Sequence, residues 1–139
     1  MKRFYLDTSI WIDYFEARKD RTRPLGEFAF NFLRWCRNNN HQILYSDLVI
    51  NELLGNFSEK EIKDFFLPFK ELSHKVKISK EQLSEAEKLE LNKKSAHKSD
   101  ILHAILARDN CAVVVARDRH FDYLLDIVEV LKPEEAVID

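Results

Sequence analysis

Ala112-Val113-Val114-Val115-Ala116, followed directly by Arg117 and Asp118, is an apolar run without polar alternation. A strand solvated on one face alternates, so a continuous run bounded by polar residues predicts a strand buried on both faces, the signature of a parallel sheet. Just upstream, Ser99 to Asp109 is rich in Ala, Ile and Leu and predicts a helix packed against that sheet. Further out, the same pairing of short apolar runs with helical stretches recurs. Strands are expected at Arg3–Leu6, Gln42–Tyr45, Val76–Ile78 and Ile127–Leu131. Helices are expected from Thr8, as its cap, to about Arg18, from Pro24 to Asn38, and from Asp47 to Leu54 with Gly55 as terminator. Capping boxes at Ser58 with Glu61 and Ser79 with Gln82 open helices near 58–66 and 80–94, and a short helix is expected around 120–125. Strands alternating with helices give an α/β fold with a mainly parallel central sheet. No repeat or linker interrupts the chain, so residues 1–139 read as a single domain.

Composition narrows the function. The chain has 139 residues, 45% hydrophobic and 33% charged, with ten Phe and a formal charge of −2, so it can build an ordinary core without staples. Cys36 and Cys111 belong to no paired motif and are expected to be reduced. Only Gly26 and Gly55 occur, which excludes a phosphate-binding P-loop, a dinucleotide fingerprint and a Gly-x-Ser-x-Gly nucleophile elbow. The amino end reaches Asp7 before any signal-length apolar run, and no stretch is long enough to span a bilayer, so a cytoplasmic protein with no membrane partner is expected. The weak net charge hides two basic clusters, Arg18, Lys19, Arg21 and Arg23, then Lys93, Lys94, His97 and Lys98. They read either as positive potential beside a site or as solvated faces.

In open parallel sheets ligands bind beyond the carboxyl ends of the strands. Asp7 ends the Phe4-Tyr5-Leu6 run and Asp118 follows the Val113-Val114-Val115 run. Glu52 and Asp100 stand apart from the solvated acids because apolar residues surround the first and follow the second. An ionised carboxylate beside an apolar face costs several kcal/mol unless compensated. Singly, each has an ordinary reading: Asp7, Asp100 and Asp118 as helix caps, Glu52 as the partner of a core Arg. Together, four carboxylates call for a divalent cation, and all-oxygen ligation selects Mg²⁺ or Mn²⁺ with waters retained, a combination suited to phosphodiester hydrolysis. Asp13 is expected on the outer face of the first helix, Asp47 as a cap and Asp122 as a reserve ligand. His103, one turn beyond Asp100, reads as a core histidine or a support for the ligands. His120 either approaches the site or lies exposed. Thr8 and Ser9 at a helix amino end, with Arg117, Arg119 and Lys98, are candidates for holding substrate phosphate.

Leu6-Asp7-Thr8-Ser9-Ile10-Trp11-Ile12-Asp13, Asn51-Glu52-Leu53-Leu54, Ser99-Asp100-Ile101-Leu102-His103-Ala104 and Ala116-Arg117-Asp118-Arg119-His120-Phe121 resemble, in order and spacing, the four motifs of the PIN-domain nucleases, specifically the VapC-type toxins. The resemblance spans the chain. It implies a compact three-layer α/β/α sandwich and Mg²⁺- or Mn²⁺-dependent endoribonuclease activity on RNA, with Asp7, Glu52, Asp100 and Asp118 as catalytic and metal-binding residues, homodimerisation, and a cognate antitoxin as partner. Two departures are Ala116, where the family often has Thr or Ser, and His120, where it often has an acid or amide. Both thin the polar shell around Asp118 and bear on a second metal site. Competing readings are a PIN nuclease for RNA processing without an antitoxin, and a catalytically silent PIN module that binds RNA or protein. A phosphate-responsive receiver would need an acidic pair after the first strand and a late Lys after another, and has neither.

Overall fold

The structure is a computed structural model that describes residues 1–20, 22, 24–93 and 96–137, apart from the side chains of Lys19 and Asp20. Arg21, Arg23 and Lys94 of the two basic clusters, and the Lys19 side chain, lie outside the described residues. Among those described, five strands form one sheet: β1 (Arg3–Leu6), β2 (Gln42–Tyr45), β3 (Ser73–Lys75), β4 (Val113–Val115) and β5 (Val130–Leu131). Their order is β3-β2-β1-β4-β5 and every pairing is parallel. The earliest strand is therefore central, with Phe4 opposite both Ile43 and Val113.

The chain moves outward from β1 to β3, then crosses back to β4 and β5, so its connections fall on opposite faces. α1 (Thr8–Asp20) and α2 (Pro24–Asn38) pack together on one face, where Phe4 meets Phe32 edge-on at 5.1 Å. α5 (Lys80–Asn92) and α6 (Lys98–Asp109) pack together on the other, where Tyr5 lies against His103 with ring centroids 5.4 Å apart. α3 (Asp47–Leu53) and α4 (Glu59–Phe66) link β2 to β3, and α7 (Pro133–Ala136) closes against α2. The result is the expected three-layer α/β/α arrangement. Buried Trp11 and Phe15 on α1 stack with Phe66 and Phe65 of α4 at 4.2 and 4.5 Å, tying the two helices into one aromatic cluster. Trp11 and Phe32 are wholly buried, whereas Phe28 is partly exposed.

Several local expectations shift. The third strand is Ser73–Lys75, not Val76–Ile78: it pairs only with β2, and an edge strand can be short and polar. Val76 still donates to Tyr45 O at 2.8 Å, so the apolar residues expected to form the strand extend its end. The last strand shrinks to Val130–Leu131 for the same positional reason. The short helix expected around 120–125 is present, as a 3₁₀ helix over Arg119–Leu124. Gly55 does not end α3 through a left-handed conformation, since no described glycine has positive φ. Asp47 makes no cap; it pairs with Lys75 at 3.0 Å.

Gly26 is required by the crossing of α1 and α2. A Cβ there would lie 1.9 Å from Ala17 Cβ and 2.8 Å from Asp13 O, a clash with a second helix that no rotamer relieves. Gly26→Ala is expected to lower unfolding stability by about 1–3 kcal/mol, the usual cost of overpacking, measured by urea denaturation; an unchanged midpoint would show that the helices separate freely.

Candidate metal centre

Because β1 is flanked by β2 and β4 and all three run parallel, residues that follow these strands gather at one edge of the sheet. Asp7 follows β1 directly and is buried, 7% exposed. Its backbone N–H donates to Val115 O of β4 at 2.9 Å, which locks it to the neighbouring strand. Its Oδ2 accepts from Ser9 Oγ at 2.6 Å, and the Ser9 backbone N–H also turns towards it, so Asp7, not Thr8, caps α1. Thr8 is buried and donates instead to Glu52 Oε1 at 2.8 Å.

Glu52 sits in the last turn of α3, after β2. Its Oε1 also accepts from His103 Nε2 at 2.8 Å, so the expected core Arg is replaced by a histidine. Asp100 is in the first turn of α6 and Asp118 stands three residues past β4, where its Oδ1 accepts from the His120 N–H at 2.9 Å. The His120 ring spans these two acids: Nδ1 is 3.1 Å from Asp118 Oδ1 and 3.6 Å from Asp100 Oδ2. His97 meets the His120 ring edge-on at 4.8 Å.

The electrostatics link all four acids. Burial pushes the Asp7 carboxyl above its usual range and the Glu52 charge adds to that, against the opposing pull of His103 and Ser9. Burial likewise raises Asp100, reinforced by the charges of Asp7 and Asp118 and only partly relieved by His103 and His120. Glu52 goes the other way: burial raises it, but the His103 and Thr8 hydrogen bonds outweigh burial and leave it below its ordinary value. Thus the charged forms of Asp7 and Asp100 are disfavoured, because the protein offsets their charge only in part.

The remaining sequence candidates fall into three groups. Arg117 is turned to Glu134 of α7, with Nη1 donating at 2.8 Å, and lies over the Phe28 ring. Lys98 pairs with Glu87 at 2.9 Å. Arg119 is exposed and has no partner among the described residues. Asp13 is buried, 8% exposed, not on an outer face, because α2 covers that side of α1 at Gly26. Asp122 is exposed. Sequence reasoning missed Tyr5 and Ser46, whose hydroxyls meet at 2.7 Å behind His103; a tyrosine in a strand expected to be buried on both faces was the available signal, since a buried phenol needs a partner.

The donor set suits a hard divalent cation: oxygen ligands, partial burial and surplus negative charge. Among the described residues no group of three or more Asp, Glu, His or Cys side chains is drawn together into a cage that could hold a metal ion. An ion held by a few carboxylates and several waters does not need one. Asp7, Asp100 and Asp118, with Glu52 beside them, are the residues that would hold it.

An all-parallel α/β sandwich with acids at the carboxyl ends of its central strands is a class shared by several nucleotide- and phosphate-processing folds. Within it, residues 4–124 match the PIN domain family model, and the chain belongs to the PIN-domain family. No curated protein matches. Among solved structures, a chain of the crystal structure of VapBC2 from Rickettsia felis bound to a DNA fragment from their promoter is similar. The TM-score is 0.67 at 19% identity, covering 94% of this chain and 98% of that one.

The upward displacement of Asp100 has a thermodynamic consequence. A carboxyl raised on folding stabilises the fold while protonated and loses that contribution as pH rises through its folded pKa. Asp100→Asn is therefore expected to raise the metal-free melting temperature at pH 7 by about 2–4 °C, the shift that roughly 1 kcal/mol produces at this chain length. The gain should vanish below the ordinary Asp range. A lower melting temperature for the variant at pH 7 would show that Asp100 is already neutralised within the protein.

Proposed function

We propose that this chain is a Mg²⁺- or Mn²⁺-dependent endoribonuclease, the toxin of a toxin–antitoxin pair. The observation that carries the reading is the electrostatically linked set Glu52, Asp7, Asp100 and Asp118, of which Asp7 and Asp118 follow central strands and Asp7 and Asp100 are raised by burial and neighbouring charge. Membership of the PIN-domain family supports nuclease chemistry, and the VapBC2 neighbour supports an antitoxin partner.

In this reading the ion, when bound, supplies Lewis acidity that offsets charge developing on the phosphoryl group and the leaving oxygen. The chain contributes orientation. Ser9 fixes one oxygen of Asp7, and Thr8 and His103 fix one oxygen of Glu52, leaving its Oε2 without a protein hydrogen bond among the described residues. Thr8 and Ser9 are thus engaged with acids, and Arg119 is the available cation beside Asp118 for substrate phosphate. Arg117 and Lys98 must give up Glu134 and Glu87 to serve there.

Purified Asp7→Asn and Asp100→Asn variants are expected to lose Mg²⁺-dependent RNA cleavage by at least about a hundredfold, a loss within the scale of electrostatic catalytic groups, while keeping the wild-type circular dichroism spectrum. Cleavage by the wild type should stop with EDTA and return with added Mn²⁺. Undiminished cleavage by either variant would refute the assignment.

A further inference from the structure

Behind the acids runs a buried polar chain of which the cleavage reading uses only the contact of His103 with Glu52. Ser46 Oγ meets Tyr5 OH at 2.7 Å, Tyr5 OH meets His103 Nδ1 at 2.8 Å, and His103 Nε2 meets Glu52 Oε1 at 2.8 Å. Ser46, Tyr5 and His103 are each wholly buried. They come from three elements: Tyr5 from β1, Ser46 from the junction of β2 with α3, and His103 from α6. An apolar trio would fill this space more simply, because buried polar groups help only when every one is satisfied. Here each is, and the chain ends at a half-exposed carboxylate.

Chemistry fixes one hydrogen in it. A carboxylate oxygen only accepts, so both bonds at Oε1 bring their hydrogen from the partner, and Nε2 of His103 carries one. With Nδ1 bonded to Tyr5, the imidazole is pinned at both nitrogens and cannot rotate or flip. We infer that His103, locked by the Tyr5 and Ser46 hydroxyls, is the positioning residue that holds Glu52 Oε1 so that Oε2 faces the metal centre. Metal affinity is thereby set partly from inside the core. Outer hydrogen-bond partners of ligating carboxylates act in this way in general. The inference rests on the acidic quartet being the metal site.

The test is Mn²⁺ titration of the metal-free full chain, read as loss of the free-ion EPR signal, for wild type, Asp100→Asn, His103→Asn, His103→Gln and Tyr5→Phe. A Gln amide reaches about as far as Nε2 and can still donate to Glu52, whereas an Asn amide stops near Nδ1. His103→Asn is expected to weaken Mn²⁺ binding about tenfold, the lower end of what losing such a partner costs, and His103→Gln to restore most of it. Tyr5→Phe keeps the ring and removes only the hydroxyl, and is expected to weaken binding by a smaller factor even if the His103 variants fail to fold. Unchanged Mn²⁺ affinity in folded His103→Asn or Tyr5→Phe, or equal weakening in the Asn and Gln variants, overturns the positioning role while the quartet stands. No Mn²⁺ binding by the wild type, or none lost in Asp100→Asn, overturns the quartet and this inference with it.

Discussion

Repulsion among carboxylates at the end of the central strand is the constraint around which this molecule is arranged. β1 lies between β2 and β4, and parallel pairing brings the segments leaving all three strands to the same edge. Asp7 is thereby fixed, buried, within reach of the charges of Glu52 and Asp100. A buried ionised carboxylate without a partner costs several kcal/mol. The chain offsets part of this at Asp7 with the Ser9 hydroxyl, the amino end of α1 and the nearby imidazole of His103. It offsets Glu52 more fully, through two hydrogen bonds on one oxygen. At Asp100 the repulsion outlasts the compensation.

This uneven treatment makes the site polar in both senses. Glu52 is anchored to the core through His103 and stays ionised, while Asp7 and Asp100 are held where their charge is unfavourable in the absence of a cation. Asp7 directly follows the central strand, Glu52 and Asp100 lie on helices, and Asp118 caps the short 3₁₀ turn after β4. Phe4 and Tyr5 are neighbours in sequence, yet one packs against Phe32 of α2 and the other against His103 of α6. The alternation of a four-residue strand thus connects the two outer layers to the acidic edge. Sites carried on such elements hold their geometry more closely than sites carried on loops.

Where the signal was local, the fold could be read from the chain. Val113–Val115 and Arg3–Leu6 announce themselves as buried strands, and Asp7 and Asp118 follow from them by position alone. Ser58 and Ser79 cap their helices as their spacing requires. The edge strand Ser73–Lys75 was not legible, because with one neighbour it needs little apolar surface, while Val76 beside it has more. Asp13 misled because it lies on the side of α1 against which α2 packs, a tertiary contact no local pattern announces. Arg117 and Lys98 are committed to Glu134 and Glu87, acids 17 and 11 residues away, and no local pattern announces such partners. The same holds for His103: its position one turn from Asp100 was visible, but Tyr5, 98 residues from it, and Ser46, 41 residues from Tyr5, become its neighbours only through the sheet.

The similarity to the VapBC2 chain at 19% identity shows how little of the sequence such a fold must retain. Cores accept extensive exchange of apolar residues when volume and pattern persist, so two chains can share an architecture over 94% of one of them with four residues in five replaced. Acidic residues at strand ends are not exchangeable in that way, because their effect depends on charge and place, not volume. An apolar replacement at Asp7 or Asp100 would relieve repulsion, and selection for stability alone would favour it. Like charges crowded at a partly buried edge are the kind of arrangement from which a functional site is inferred. The inward chain from Glu52 to Ser46 follows the same logic: polar groups in a core are tolerated where something outside the core depends on their alignment.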